Sequence, residues 1–85
     1  MRCVTVYTRA FCPYCSRALA LLKRKGASVN VIDATCDARK RQEMIDRSGR
    51  WTFPQIFVGD KHIGGCDELH ALDGEGGLDP LLAGT

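Results

Sequence analysis

The 85-residue chain has no apolar run near the ~18 residues of a membrane span, no internal repeat and no low-complexity tract. Its 12 Lys and Arg against 10 Asp and Glu leave a net charge of only +2, with an isoelectric point near 8.4. A dedicated nucleic-acid binder would bring a pI above ~9 and a clustered basic face. Neither a nucleic acid nor a membrane is therefore expected as partner. A second CxxC is also missing, and the only histidines, His62 and His70, stand eight positions apart, outside the close pairing of zinc ligands. A second hydrophobic core would need at least ~40 to 50 residues of its own, so residues 1–85 are expected to form one domain. Hydrophobic residues at 45% and charged residues at 26% are ordinary globular usage, which sets aside disordered, collagen-like and coiled-coil classes.

What the chain does have is cysteine, five of them. The count is odd and the spacing uneven: Cys12 and Cys15 form a tight pair, while Cys3, Cys36 and Cys66 lie far apart. Met1-Arg2 leads straight into Cys3-Val4-Thr5-Val6-Tyr7-Thr8, too short and polar for a signal peptide, so a cytoplasmic location is expected. In a reducing compartment a pair such as Cys12 and Cys15 is catalytic or metal-binding more often than structural.

Periodicity places the pair. Arg2–Thr8 alternates with β-branched and aromatic side chains, and Val29–Ile32 forms a second short apolar run, so both read as strands. Between them Ala18, Leu19, Leu21 and Leu22 lie on one helical stripe that ends at Gly26. A helical crossover of this length joins parallel strands. Asp37–Ser48, closed by Gly49, reads as a more exposed helix with Met44 and Ile45 as its apolar face. Pro54–Val58 and Lys61–Ile63 flank Gly59-Asp60 as a hairpin. Cys66–Leu72 reads as a short helix and Leu78–Leu82 as one more turn. The expected fold is α/β, in the order β-α-β-α-β-β-α, with a four-stranded mixed sheet flanked by helices.

Cys12-Pro13-Tyr14-Cys15 then sits between the first strand and the first helix. With Cys12 as N-cap, Pro13 falls at the first helical position, where its missing N–H costs nothing. The N–H groups of Tyr14 and Cys15 are left as donors toward the Cys12 sulfur. These donors and the positive end of the helix dipole favour thiolate over thiol, making Cys12 the nucleophile. Cys15, one turn inside, is the resolving thiol that attacks a mixed disulfide on Cys12. The competing reading is half a zinc site, which lacks its remaining ligands.

Three segments in order, Tyr7-Thr8-Arg9-Ala10-Phe11-Cys12-Pro13-Tyr14-Cys15, Thr52-Phe53-Pro54-Gln55-Ile56-Phe57 and Gly64-Gly65-Cys66-Asp67-Glu68-Leu69, resemble the signatures of dithiol glutaredoxins of the small bacterial glutaredoxin 3 type. The likeness extends to Gly76-Gly77-Leu78-Asp79-Pro80-Leu81-Leu82. It implies a thioredoxin-like fold and a glutathione-dependent reduction of protein–glutathione mixed disulfides and protein disulfides by a monomer. No metal is expected. By the same resemblance Pro54 follows a cis peptide bond and faces the cysteines. The Phe53 backbone then pairs with the cysteinyl residue of glutathione as one residue of added strand, with Thr52 and Tyr14 beside it.

Gly64-Gly65 feeding a helix start is an anion site on physical grounds. The family assigns the γ-glutamyl carboxylate to Gly65 and to the amides of Cys66 and Asp67, with the Asp67 side chain near the ammonium. The glycyl carboxylate needs a cation. Arg9 stands where the family usually has lysine, and Arg41 matches a Gln/Arg position. An arginine at position 9 replaces a point charge by a planar fork.

Cys3 reads as a small strand hydrophobe, Cys36 as a loop thiol and Cys66 as a packed thiol rather than a regulatory one. His62 and His70 read as surface residues without partners. Trp51 and Phe53 replace smaller family residues beside the groove. Two other functions fit the cysteine pair less well. A glutathione-ligated [2Fe-2S] carrier usually lacks proline at the position of Pro13. A thioredoxin would carry Gly-Pro, not Pro-Tyr, between its cysteines.

Overall fold

In the computed structural model, which describes residues 2–84, Val4 and Val6 face one core and Tyr7 the other along the central strand β1 (Cys3–Thr8). After it come α1 (Pro13–Arg24), β2 (Ser28–Asp33), α2 (Ala38–Ser48), β3 (Gln55–Val58), β4 (Lys61–Gly64), α3 (Cys66–Gly74) and α4 (Leu78–Ala83). The sheet order is β2-β1-β3-β4. β1 runs parallel to β2 and antiparallel to β3, and β3 is antiparallel to β4. This is the four-stranded mixed sheet expected from the sequence.

Each face of the sheet buries a different set of side chains. Val4, Val6, Ile56 and Val58 pack with Ala18, Leu21 and Leu22 of α1, Leu69 of α3, and Leu78 and Leu82 of α4. Fully burying one such leucine is worth about 2 kcal/mol. A second cluster joins Tyr7 and Phe57 to Met44 of α2, with Ile45 and Phe53 packed beside it. Met44 and Ile45 are thus core, as their spacing indicates. α2 is held at its start by Asp37, whose carboxylate accepts from the amides of Arg39 and Lys40 at 3.1 and 3.0 Å, and ends at Gly49 with φ +72.

Several boundaries differ from those read in the sequence. Arg2 is outside β1 because its amide donates to the Leu82 carbonyl at 2.9 Å, tying it to α4. Pro54 precedes β3, having no N–H for the ladder, and pairing begins at Tyr7 with Gln55. α3 runs past Leu72 to Gly74 and is stopped by Gly76 at φ +78. The final segment is a six-residue helix rather than a single turn; Pro80 is its third residue, where an N–H would have no helical partner. Cys3 is exposed, since the alternation that buries Val4 and Val6 turns it outward. Because β3 runs antiparallel to β1, β1 ends and α1 begins at the same end of the sheet as the connection that enters β3.

Candidate active site

Cys12 is the N-cap of α1, in an extended conformation, with Pro13 directly after it. Its sulfur accepts from the Cys15 amide at 3.4 Å. Of the two amide donors expected there, the third of the helix, Cys15, makes the contact, and the second, Tyr14, forms no hydrogen bond to the sulfur. Cys12 Sγ also lies 4.0 Å from the Phe53 carbonyl oxygen. Both Cys12 and Cys15 are buried. The Cys15 thiol is pushed up to about 12, first by burial and then by the neighbouring Cys12 sulfur, while the backbone and charge of Arg9 pull the other way.

The peptide bond between Phe53 and Pro54 is cis, as the family resemblance implies. Tyr14, Thr52 and Phe53 border two adjoining hollows. One adds Pro54, Gly65, Cys66 and Asp67, together with Arg50 and Glu68. The other adds Arg9, Arg41 and Trp51, and measures about 580 Å³, within the ~300–1,000 Å³ of small-molecule sites. The two form a groove with an arginine pair at one end and the start of α3 at the other. All nine residues expected to contact glutathione thus line one groove. Arg41 has a second role, since its Nη2 donates to the carbonyls of Ala34 and Thr35 at 3.4 and 3.2 Å, fastening the β2–α2 connection.

The far end of the groove contains two residues that sequence reasoning passed over. Glu68, third in α3, accepts from the Gly65 amide at 3.0 Å and is ion-paired with Arg50. Arg50 and the Gly65 amide together hold its carboxyl below the usual carboxylate range. A glycine is required at 64, where φ is +116 and a Cβ would stand 2.6 Å from the Glu68 carboxylate. With the Gly65 amide occupied, the amides of Cys66 and Asp67 at the helix start are the donors left for an anion. The [ST]-x-x-E pattern that advertises such a cap is hidden here because a glycine occupies the N-cap.

Three thiols fall outside the pair. Cys3 and Cys36 are exposed. Cys66 belongs to the main core, and burial pushes its thiol up, with the Asp67 charge adding to the effect. The packing reading of Cys66 therefore holds. The histidines do have partners, contrary to expectation: His70 Nδ1 lies 2.9 Å from the Cys66 carbonyl, and His62 Nε2 lies 2.7 Å from Gln55 Oε1. Among the described residues no group of three or more His, Cys, Asp and Glu side chains is gathered in a metal-binding arrangement, and no helix is long and apolar enough to cross a membrane.

Comparison with known proteins extends the match beyond the motifs. The glutaredoxin family model matches residues 4–63. Glutaredoxin 3 of Escherichia coli K12 is 60% identical over 79 residues, which are 93% of this chain and 95% of that protein. The solution structure of glutaredoxin from Brucella melitensis superimposes with a TM-score of 0.84 at 61% identity, covering 96% of this chain and 89% of that one. The crystal structure of the buckwheat glutaredoxin–glutathione complex does so with a TM-score of 0.85 at 31% identity, covering 94% and 76%. The open mixed sheet with flanking helices is the thioredoxin-like fold of these proteins.

Proposed function

This chain belongs to the glutaredoxin family, and from that premise we propose that residues 1–85 act as one glutathione-dependent thiol–disulfide oxidoreductase with Cys12 as its nucleophile. The observation that carries this reading is the meeting of two contacts at one sulfur. Cys12 Sγ caps α1 by accepting the Cys15 amide, and it lies 4.0 Å from the Phe53 carbonyl, beside a groove lined by Phe53.

On a protein–glutathione mixed disulfide, the glutathione moiety occupies this groove. Its cysteinyl backbone pairs with Phe53, Thr52 and Tyr14 flank it, and Pro54 closes the side facing the cysteines. The γ-glutamyl carboxylate takes the open amides of Cys66 and Asp67 after Gly65, with the Asp67 carboxylate near the ammonium, and the glycyl carboxylate takes Arg9 and Arg41. The Cys12 thiolate attacks the glutathione sulfur. A Cys12–glutathione bond forms, the original S–S bond breaks, and the protein leaves as a thiolate that takes a proton from water. A second glutathione thiolate then attacks the bound glutathione sulfur, releasing oxidised glutathione and the Cys12 thiolate.

A protein disulfide takes a different second step. Cys12 attacks one target sulfur and the other leaves as a thiolate. Cys15 loses its proton and attacks Cys12 Sγ, releasing the reduced target. Two glutathiones reduce the resulting Cys12–Cys15 bond. Burial is the first cause of the raised Cys15 value and the Cys12 sulfur the next. The Cys12 contribution is relieved once that sulfur is in a mixed disulfide, which eases deprotonation of Cys15 while burial still opposes it. A soluble monomer of the cytoplasm suits this chemistry, because glutathione must be supplied continuously in its reduced form.

A coupled assay with glutathione, glutathione reductase, NADPH and a glutathionylated peptide tests the assignment. Turnover that requires glutathione and vanishes in Cys12→Ser is expected. Wild-type rates in Cys12→Ser would overturn it.

A further inference from the structure

Phe11, next to Cys12, is placed against two folding preferences. Its side chain is 100% exposed, and its backbone, at φ 57, is the one non-glycine positive φ among the described residues. A glycine would meet that turn without a steric cost, and a polar side chain would remove the solvated ring. Neither the core nor the turn therefore accounts for an aromatic residue here, and an outlier of this kind beside a reactive group points to function.

The second observation is a hollow separate from the glutathione groove. It measures about 520 Å³ and is walled by Arg9, Phe11, Cys12, Pro13, Cys15 and Leu19. Only Arg9 is shared with the groove. No carboxylate lines it, so its one charge is positive, and Phe11, Pro13 and Leu19 supply apolar surface.

We propose that this hollow docks the polypeptide of a protein disulfide substrate, specifically a segment with an apolar side chain next to the attacked cysteine and an acidic residue close by. The inference rests on Cys12 as nucleophile and Cys15 as resolving thiol. When Cys12 Sγ bonds to the target sulfur, the other target sulfur leaves as a thiolate and is protonated by water. The target chain is then tethered at the wall of this hollow. Its apolar side chain covers the Phe11 ring together with Pro13 and Leu19, and its carboxylate faces Arg9, which is free because no glutathione occupies the groove at that stage. Attack by the Cys15 thiolate forms the Cys12–Cys15 bond and expels the second target thiolate, and glutathione returns the pair to the dithiol.

Three substrates test the proposal: the mixed disulfide of glutathione with 2-mercaptoethanol, a disulfide-looped peptide with Leu beside the attacked cysteine and Glu next in line, and the same loop with Gly and Ser in those places. The wild-type protein should reduce the Leu/Glu peptide with a kcat/KM about tenfold above the Gly/Ser peptide, the ratio produced by 1.4 kcal/mol. Phe11→Gly, whose backbone suits the turn, should narrow that ratio to within about twofold, leave the small mixed disulfide unchanged and keep its melting temperature. Phe11→Leu should retain the preference. Equal kcat/KM for the two peptides in the wild type would overturn the docking surface, as would an undiminished preference in Phe11→Gly. A parallel loss on the small substrate in Phe11→Gly would overturn it too, since Phe11 would then act on Cys12 itself. Failure of the wild-type protein on the small mixed disulfide would instead overturn the nucleophile assignment on which this surface depends.

Discussion

Gln55 Oε1 accepts a hydrogen bond from His62 Nε2 at 2.7 Å, and the direction of that bond is fixed by what Gln55 does at its other end. Its amide nitrogen donates to the Thr52 carbonyl at 2.9 Å and to Thr52 Oγ1 at 3.1 Å. A carbonyl can only accept, so the nitrogen must face Thr52 and the oxygen His62, which places the imidazole proton on Nε2. Gln55 is wholly buried, and the His62 ring lies over Phe57 with centroids 4.9 Å apart. The chain runs from β4 through β3 to Thr52 in the wall of the groove.

If this chain positions the groove, Gln55→Leu should cost about 1–3 kcal/mol by leaving the Thr52 carbonyl and the His62 N–H without partners. It should also raise the KM for glutathione several-fold while the alkylation rate of Cys12 stays constant. His62→Gln, which keeps a donor, should rescue most of the loss seen in His62→Ala. A KM unchanged in Gln55→Leu would show that Thr52 is positioned by other means.

Burial pushes the His62 imidazole below its ordinary 6.5, the Arg50 charge adds to this, and Glu68 opposes both. The folded protein then binds fewer protons at this site than the unfolded chain. The stability associated with a neutral His62 is present above about pH 6.5 and falls as the pH drops below that value. Urea unfolding between pH 7 and 5 should therefore show a smaller decline in His62→Gln than in the wild type. Parallel declines would remove His62 from the account.

The Arg50–Glu68 pair carries the same sign at lower pH. The Glu68 carboxyl is held below its ordinary 4.5 by Arg50 and by the Gly65 amide. Its stabilisation is present above that value and is lost as the pH falls through the lower, folded one. Both side chains are more than a third exposed, so solvent screening limits the effect to about 0.5–1 kcal/mol. Glu68→Gln should lower stability by that amount at pH 7 and by almost nothing near pH ~2, where both proteins carry a neutral group. Chemical unfolding at the two pH values measures the difference.

The strands and helices were legible because their signals are local: alternation in β1, the Leu21-Leu22 stripe of α1, and Gly49 closing α2. The cysteine pair at a strand-to-helix junction was equally local. By contrast, His62, Gln55, Arg50 and Glu68 have partners 3 to 18 residues away whose meeting depends on the hairpin and on the start of α3. No propensity or spacing rule joins a histidine on one strand to a threonine in the loop before another. The cis bond at Pro54 came from family likeness, since X-Pro bonds in folded proteins are cis in only about 5–6% of cases. The last segment, read as one turn over Leu78–Leu82, is a six-residue helix; so short a run carries too little periodicity to separate the two.

At the two ends of the groove, Asp67→Ala and Arg41→Ala should each raise the glutathione requirement a few-fold, because exposed charge contacts are worth about 0.2–1 kcal/mol. The two variants should differ in stability. Arg41 also holds the Ala34 and Thr35 carbonyls, so its loss should lower the melting temperature more than that of Asp67, which removes only the ~0.5 kcal/mol of a carboxylate in the first turn of α3. A normal glutathione dependence in Arg41→Ala would transfer the glycyl carboxylate to Arg9 alone.

The roles of the two cysteines separate in Cys15→Ser. At neutral pH the reduced protein should be alkylated by iodoacetamide at Cys12 before Cys15, because burial and the Cys12 sulfur keep Cys15 a thiol. Release of glutathione from a protein thiol needs only the Cys12 thiolate and a second glutathione, so Cys15→Ser should keep or exceed the wild-type rate on a glutathionylated peptide. An excess would arise because Cys15 no longer diverts the Cys12–glutathione intermediate into the intramolecular disulfide. A protein disulfide is different, since the target stays bonded to Cys12 until another thiol attacks. Cys15, whose amide is 3.4 Å from the Cys12 sulfur, attacks from within the same molecule. Oriented intramolecular groups carry effective concentrations of ~10⁵ M or more, far above any free glutathione. Cys15→Ser should thus lose at least about tenfold in kcat/KM on protein disulfides, the fraction that free glutathione cannot replace, while Cys12→Ser loses both activities. Equal losses on both substrates in Cys15→Ser would mean that deglutathionylation also passes through the Cys12–Cys15 disulfide.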